Sequence, residues 1–277
     1  MRLRVIPSLI LLAPVFIAGV SLADAQASGN PSITNENRLF QRFIQDGAVT
    51  DNLWLEGQFR FQNYQQDRVL SLSPVFAATL AEDFELGGSI GLVNVNPDDG
   101  GDQTGFTDMQ VYGKVRLTTR PTQVSVGLLF DLPTGNEDKS LRFGTGKLDV
   151  GFFGGVRHDF GAVSLVGNAG LRINQDPDVT DRDTLAAFGL SRGRRPTGKT
   201  SVQLGGALLF AMTRQVSGLL EATYESERID GMGSDLRITA GADYRFAEGV
   251  GFRPGVAIGS GGSAPHFEAI GSFYALF

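Results

Sequence analysis

The run Gly193-Arg194-Arg195-Pro196-Thr197-Gly198-Lys199-Thr200 spells G-x-x-x-x-G-K-[ST], the loop whose amides cradle phosphates while its lysine and hydroxyl complete the site. That chemistry needs a strand before the loop and a helix after it, so that the helix end meets the phosphates. Here Ser201 to Phe210 alternates with period two and contains Gly205-Gly206, so no helix starts and nucleotide binding is set aside. The basic residues Arg192, Arg194, Arg195 and Lys199 instead suit an outer loop, either paired with lipopolysaccharide phosphates or simply solvated. A serine hydrolase would need a nucleophile beside a base. The chain has two histidines, His158 and His266, and although Ser260 and Ser263 lie near the second, no G-x-S-x-G elbow surrounds either serine. Asp98, Asp99 and Asp102 offer carboxylates to calcium, but without EF-hand spacing. The absence of cysteine excludes disulfides, thiol catalysis, Cys-based zinc and iron–sulfur sites. These residues therefore assign no catalytic, cofactor or metal site, and a net charge of -6 with scattered basic residues argues against nucleic acid as a partner.

The elements that would position such groups have a clear rhythm. Arg2 and Arg4 precede an apolar stretch from Val5 to Val20 and a small-residue run ending at Ala27, the order of a secretory signal over residues 1–25, with cleavage after Ala25 or Ala27. The competing membrane anchor is shorter than the span of about 20 residues it would need and is interrupted by Pro7 and Pro14. Residues 26–51 form a polar periplasmic lead-in. Asn35 is placed to cap a short helix with Leu39, Phe40, Phe43 and Ile44 on one face, ending at Gly47. Two roles stay open for it, a lid or plug, and a tail packed loosely on the mouth of the following domain.

From residue 52 to 277 every second residue is apolar or small over twelve stretches of about ten residues, beginning with Leu53-Leu55-Gly57-Phe59-Phe61 and ending with Phe267-Ala269-Gly271-Phe273-Ala275-Phe277. Tight connections after the even stretches alternate with longer polar ones after the odd, including 96–105, 133–146 and 175–199. An even strand number, strict alternation of short and long connections and spans of this length predict an all-β fold, a transmembrane antiparallel up-and-down β-barrel. The 37 glycines fit the wall of a small closed sheet. The faces opposite the apolar ones carry Arg116, Asp131, Asp149, Arg157, Arg172, Glu221, Arg237, Asp243 and Arg245, together with Lys114, Glu225, Arg253 and Glu268. The barrel reading puts them in a hydrated lumen and the apolar set against lipid. In the long loop at 175–199, Leu185 to Leu190 forms an apolar patch that either folds into the lumen as a constriction or packs on the barrel rim or lipid headgroups.

The last strand ends on Phe277, with Phe273 on the same face, and resembles the carboxyl-terminal assembly signal of Gram-negative outer-membrane proteins. That resemblance implies the barrel assembly machinery as a partner, and the bacterial outer membrane, with its lipids and lipopolysaccharide, as the location. A strand ending in Leu132-Pro133-Thr134-Gly135 and a re-entry through Gly144-Thr145-Gly146-Lys147-Leu148-Asp149-Val150-Gly151 are similar to the outer-membrane family named for the meta-pathway of phenol degradation. The resemblance is sharpest over 124–160 and implies a twelve-stranded barrel that assists passage of small, often hydrophobic or aromatic solutes. It transfers no substrate residue. Two readings follow: a passive channel whose lumen charges select by size and sign, and a barrel that is not a pore, acting in lipid modification, adhesion or structure. The missing nucleophile–base pair counts against the enzyme.

Overall fold

The computed structural model describes residues 31–65, 67–97, 101–136, 143–177 and 197–277. The export signal, Asp98, Asp99, the Leu185–Leu190 patch and Arg192, Arg194 and Arg195 lie outside them. Fourteen hydrogen-bonded segments form one antiparallel sheet, and two strands are each split in two, so the wall has twelve strands. They are β1 (Trp54–Asn63), β2 (Asp67–Ala81), β3 (Phe84–Ser89 and Leu92–Pro97), β4 (Gln103–Phe106 and Met109–Thr118), β5 (Thr122–Leu132) and β6 (Asp149–Asp159). The second half comprises β7 (Val163–Ile173), β8 (Thr200–Ala211), β9 (Val216–Glu225), β10 (Asp235–Ala247), β11 (Val250–Ser260) and β12 (Phe267–Leu276). Strand β1 pairs with β2, Trp54 opposite Ala77, and with β12, Trp54 opposite Leu276, which closes the sheet and leaves no free edge. Each strand pairs with its sequence neighbours, so the barrel runs up and down.

The splits in β3 and β4 face each other. The register changes by one residue between the Ser89–Gln110 and Leu92–Phe106 pairs, and Gly91 and Thr107 bridge the step. Strands β3 and β4 also extend to Pro97 and Gln103, so the connection expected at 96–105 is shorter than its polar composition suggested. Tight turns close one end of the barrel, two of them on Gly161 and Gly249 at φ of 85° and 67°, a region glycine enters without strain.

Side chains alternate across the wall in the opposite sense to a soluble protein. Phe59, Leu128, Phe152, Leu220 and Phe273 face outward, between 41% and 57% exposed, while their neighbours Gln58, Glu221 and Ser272 are buried inside. An apolar belt of this extent around a closed sheet with a polar interior is a surface made for lipid.

The alternation fails at a few places, and each failure faces inward. Leu209 lies between the outward Leu208 and the half-buried Phe210, Leu219 precedes Leu220, Leu129 follows Leu128 and Phe153 follows Phe152, and all four inner members are buried. They pack on residues that belong to no strand. Ile33, Leu39 and Phe40 join Val166, Leu209, Leu219 and Ile270 in one cluster, and Phe43 and Ile44 pack against Trp54, Tyr112, Leu129, Phe153 and Tyr274 in another. The amino-terminal segment therefore occupies the barrel interior.

Candidate functional site

Residues 31–53 enter and leave the lumen at the tight-turn end. Ile33 N–H donates to Gly161 of the β6–β7 turn, Asn35 Oδ1 accepts from Gln123 and from Arg120, and Glu36 pairs with Arg245 at 3.0 Å. The chain then climbs until Arg42 reaches Glu225 on β9, at 3.7 Å, and the carbonyl of Tyr224. A single 3-10 turn, Phe43–Gln45, reverses it. It descends past Asp46 and Thr50 to Leu53, whose amide and carbonyl pair with Phe277.

The short helix expected from Asn35 to Gly47 does not form. Asn35 caps nothing: its amide nitrogen donates to Asp51, which ties the two arms of the excursion together. The wall claims the backbone groups a helix would have used. One carboxylate, Glu221, accepts from the amides of Phe40, Gln41 and Arg42 at 3.0, 3.0 and 2.8 Å. Lys114 Nζ donates to the carbonyls of Ala48, Asp46 and Ile44 at 2.6, 3.1 and 3.4 Å. Arg157 donates to the carbonyls of Thr34 and Asn37, both at 2.9 Å, and Arg60 to that of Phe40 at 3.0 Å. Irregular backbone persists at membrane depth only where protein or a wet cavity satisfies it, and here wall side chains do so.

Ion pairs complete the seating. Glu85 is fully buried between Arg38 and Lys114, each at 3.1 Å, and also accepts from Tyr112 at 2.8 Å and from the Thr50 amide at 2.5 Å. Arg157 pairs with Asp46 at 3.3 Å. Arg253, held by Glu56 at 3.3 Å, lies over the Phe40 ring at 4.5 Å, and Arg38 lies over Phe43 at 4.7 Å. Trp54 stacks on Tyr274 at 4.5 Å beneath Phe43. Arg38, Asp46 and Glu85 are the centre of this arrangement, and alternation alone did not single them out. The available signal was Glu85 alone between outward Phe84 and Leu86, together with the doubled apolar residues on β5, β6, β8 and β9.

The charges picked out by alternation divide into three groups. Arg157, Glu221, Asp243 and Arg245 touch the inserted segment, Asp243 through Asn37 at 3.3 Å. Asp131, Asp149, Arg172 and Arg237 lie toward the long-loop end: Arg172 adjoins Asp131, Arg228 pairs with Asp149 at 3.1 Å, and Arg237 joins Asp235 and, at 3.4 Å, Glu268, while also reaching Gln41 of the inserted segment at 3.5 Å. Arg116 sits at the tight-turn end, paired with Asp83 at 2.9 Å. Phe273 and Phe277 both point outward, 57% and 73% exposed.

Among the described residues, the two larger cavities lie above and beside the inserted segment. The inner one, about 150 Å³, lies between Phe40–Gln45 and the wall at Glu56, Arg60, Tyr112 and Arg172. The outer one, about 360 Å³, is bounded by Tyr64, Val69 and Val93 on one side and Arg228, Asp235 and Arg237 on the other. Arg60 borders both.

Several of the residues considered for other chemistry are engaged structurally. Lys199, next to the start of β8 rather than of a helix, lies between Glu227 at 2.5 Å and Asp230 at 2.6 Å. Its hydrogen bond to Asp230, then that to Glu227, holds the lysine above its ordinary range, and the same bond from Lys199 leads in holding Glu227 below the usual carboxylate range. His158 Nδ1 meets Thr122 Oγ1 at 2.6 Å, Ser263 donates to the Gly233 carbonyl at 2.8 Å, and Asp102 accepts from Asn96 at 2.6 Å.

Residues 71–208 match the family described as "Putative MetA-pathway of phenol degradation". No curated protein matches the sequence. Among solved structures, the fold is similar to an outer membrane channel from Pseudomonas putida F1, at a TM-score of 0.58 and 15% identity over 83% of this chain and 97% of that one. It is also similar to the KdgM porin, at 0.52 and 9% over 81% and 99%, and to the NanC porin, at 0.51 and 9% over 81% and 98%. The family match and the closed twelve-stranded wall with its apolar belt make this chain an outer-membrane β-barrel of the MetA type.

Proposed function

We propose that the chain is a passive outer-membrane channel for small compounds, closed in the described state by residues 31–52, which act as a plug. The observation that carries this reading is the wall's dedication to the segment: inward Val166, Leu209, Leu219 and Ile270 receive Ile33, Leu39 and Phe40, while Glu221 and Lys114 bind backbone that would otherwise be unsatisfied. The polar wall and the cavities on the long-loop side give a solute an approach, and lumen charges such as Arg172, Arg237 and Asp149 supply selection by size and sign. The family description, with its reference to phenol, supports small hydrophobic or aromatic compounds as the solutes. No covalent chemistry is assigned to the chain. Residues 1–25 serve as the export signal, outward Phe273 and Phe277 as the signal read by the assembly machinery, and the belt as the contact with outer-membrane lipid and lipopolysaccharide.

The test is flux through purified protein in liposomes. Full-length protein is expected to give slow swelling in small solutes such as phenol, and protein lacking residues 31–50 a large increase. A folded barrel that stays impermeable after that deletion refutes the channel.

A further inference from the structure

The Leu132-Pro133-Thr134-Gly135 and Gly144-Thr145-Gly146 runs have a local purpose that the plug does not explain. Where β4 is split, the Thr107 amide still pairs with Gly91, and both arms of the 133–148 loop supply partners for the amides on either side of it. Phe106 N–H donates to Asn136 Oδ1 at 2.8 Å, Asp108 N–H to the Phe143 carbonyl at 2.8 Å and Met109 N–H to Thr134 Oγ1 at 2.8 Å. In return the Asp108 carboxylate accepts from the Gly135 amide at 3.0 Å and the Thr145 amide at 2.8 Å, one oxygen for each arm. Neither glycine has room for a side chain. A Cβ on Gly144 would stand 2.4 Å from Asp108 Oδ1, and one on Gly135 the same distance from the Phe143 carbonyl. The result buries Phe143 completely against Val69, Val93 and Val95. Thr107 and Thr145, on either side of this junction, line the outer cavity.

We propose that Asp108 is a positioning residue: its carboxylate, clamped between the Gly135 and Thr145 amides, folds both arms of the loop into the split in β4 and thereby sets the wall of the outer cavity. A carboxylate bonded to two amides makes charge-assisted bonds, stronger than the neutral ones around it, and this single side chain touches both arms. The effect on solutes rests on the channel reading above; the clamp itself does not.

The experiment is hydrogen exchange, followed peptide by peptide on the full chain in detergent. In D108A the peptides carrying Gly135 and Thr145 are expected to exchange about ten-fold faster or more, with β6 to β12 unchanged. D108N, which keeps one acceptor oxygen, is expected to fall between, and G144A, which crowds the carboxylate, to resemble D108A. Unchanged exchange in these peptides overturns the proposal, as does acceleration spread equally over all strands. If D108A does not fold, D108N and G144A are read by the same criterion. Exchange requires no conduction, so accelerated exchange without flux refutes the channel alone, and flux without accelerated exchange refutes the clamp alone.

Discussion

Replacing Glu85 with glutamine is expected to free the plug from a barrel that stays folded. The Glu85 carboxylate is bonded at once to a plug cation, Arg38, a wall cation, Lys114, and a plug amide, that of Thr50. Glutamine keeps the shape and removes the charge, so the two buried cations lose the carboxylate they share. Breaking a buried pair from one side costs about 3–5 kcal/mol. Both cations keep carbonyl partners, Ala48 for Arg38 and three plug carbonyls for Lys114, so the lower end applies. Strand pairing is untouched, and withdrawal of the plug returns Arg38 to water, so the cost falls on the seated state. About 3 kcal/mol is a shift of about a hundred-fold toward the open form. Trypsin reads it directly, because Arg38 and Arg42 are shielded within the seated segment and cleavage follows the open population when opening is fast. Cleavage at these two sites should accelerate about a hundred-fold in E85Q, while heat-modifiable gel mobility shows the barrel intact. Equal cleavage of folded E85Q and wild type would refute the reasoning, and an unfolded barrel would show that Glu85 supports the wall instead.

Three further outcomes follow from other contacts. Substituting Glu221 with alanine removes the acceptor for three successive amides and should loosen the crest of the plug by about 2 kcal/mol or more, seen as faster exchange at Phe40 to Arg42. An arginine in place of outward-facing Val126, near the middle of β5, should destabilise the folded barrel in lipid by about 2–4 kcal/mol, measured by urea titration in bilayers. The Lys199–Glu227 contact should make exchange in residues 226–233 depend on pH. The depressed Glu227 contributes order above its unfolded pKa that is lost as pH falls through the folded one, whereas the raised Lys199 contributes order below its unfolded pKa that is lost as pH rises through the folded one. Protection constant from acid to alkaline pH would show that the pair does not order this segment.

The wall was legible because a barrel in lipid repeats one rule: each outward position must be apolar, so Phe59, Leu128 or Phe273 announces its face without knowledge of its neighbours. The interior obeys no such rule. Glu221 is inward by alternation, but that it receives three amides of residues 40–42 depends on a segment about 180 positions earlier in the chain. Asn35 has the propensity to cap a helix, yet a capped helix would have left the Lys114 ammonium and the Glu221 carboxylate without those backbone partners. Tertiary demand overrode local preference. The departures from alternation, Leu208-Leu209-Phe210 and Leu219-Leu220, did record the plug, as apolar residues placed where water alone would not have put them.

The plug begins and ends at the same rim. Ile33 meets the turn at Gly161 and Leu53 meets Phe277, both at the tight-turn end, while the reversal at Phe43–Gln45 lies deep inside. On the plug reading, residues 31–53, doubled back on themselves, are drawn out and reinserted through one opening without parting β1 from β12. On that reading the withdrawal is a movement on a tether fixed at Trp54, and one barrel cycles between stoppered and unstoppered states with every strand pair intact.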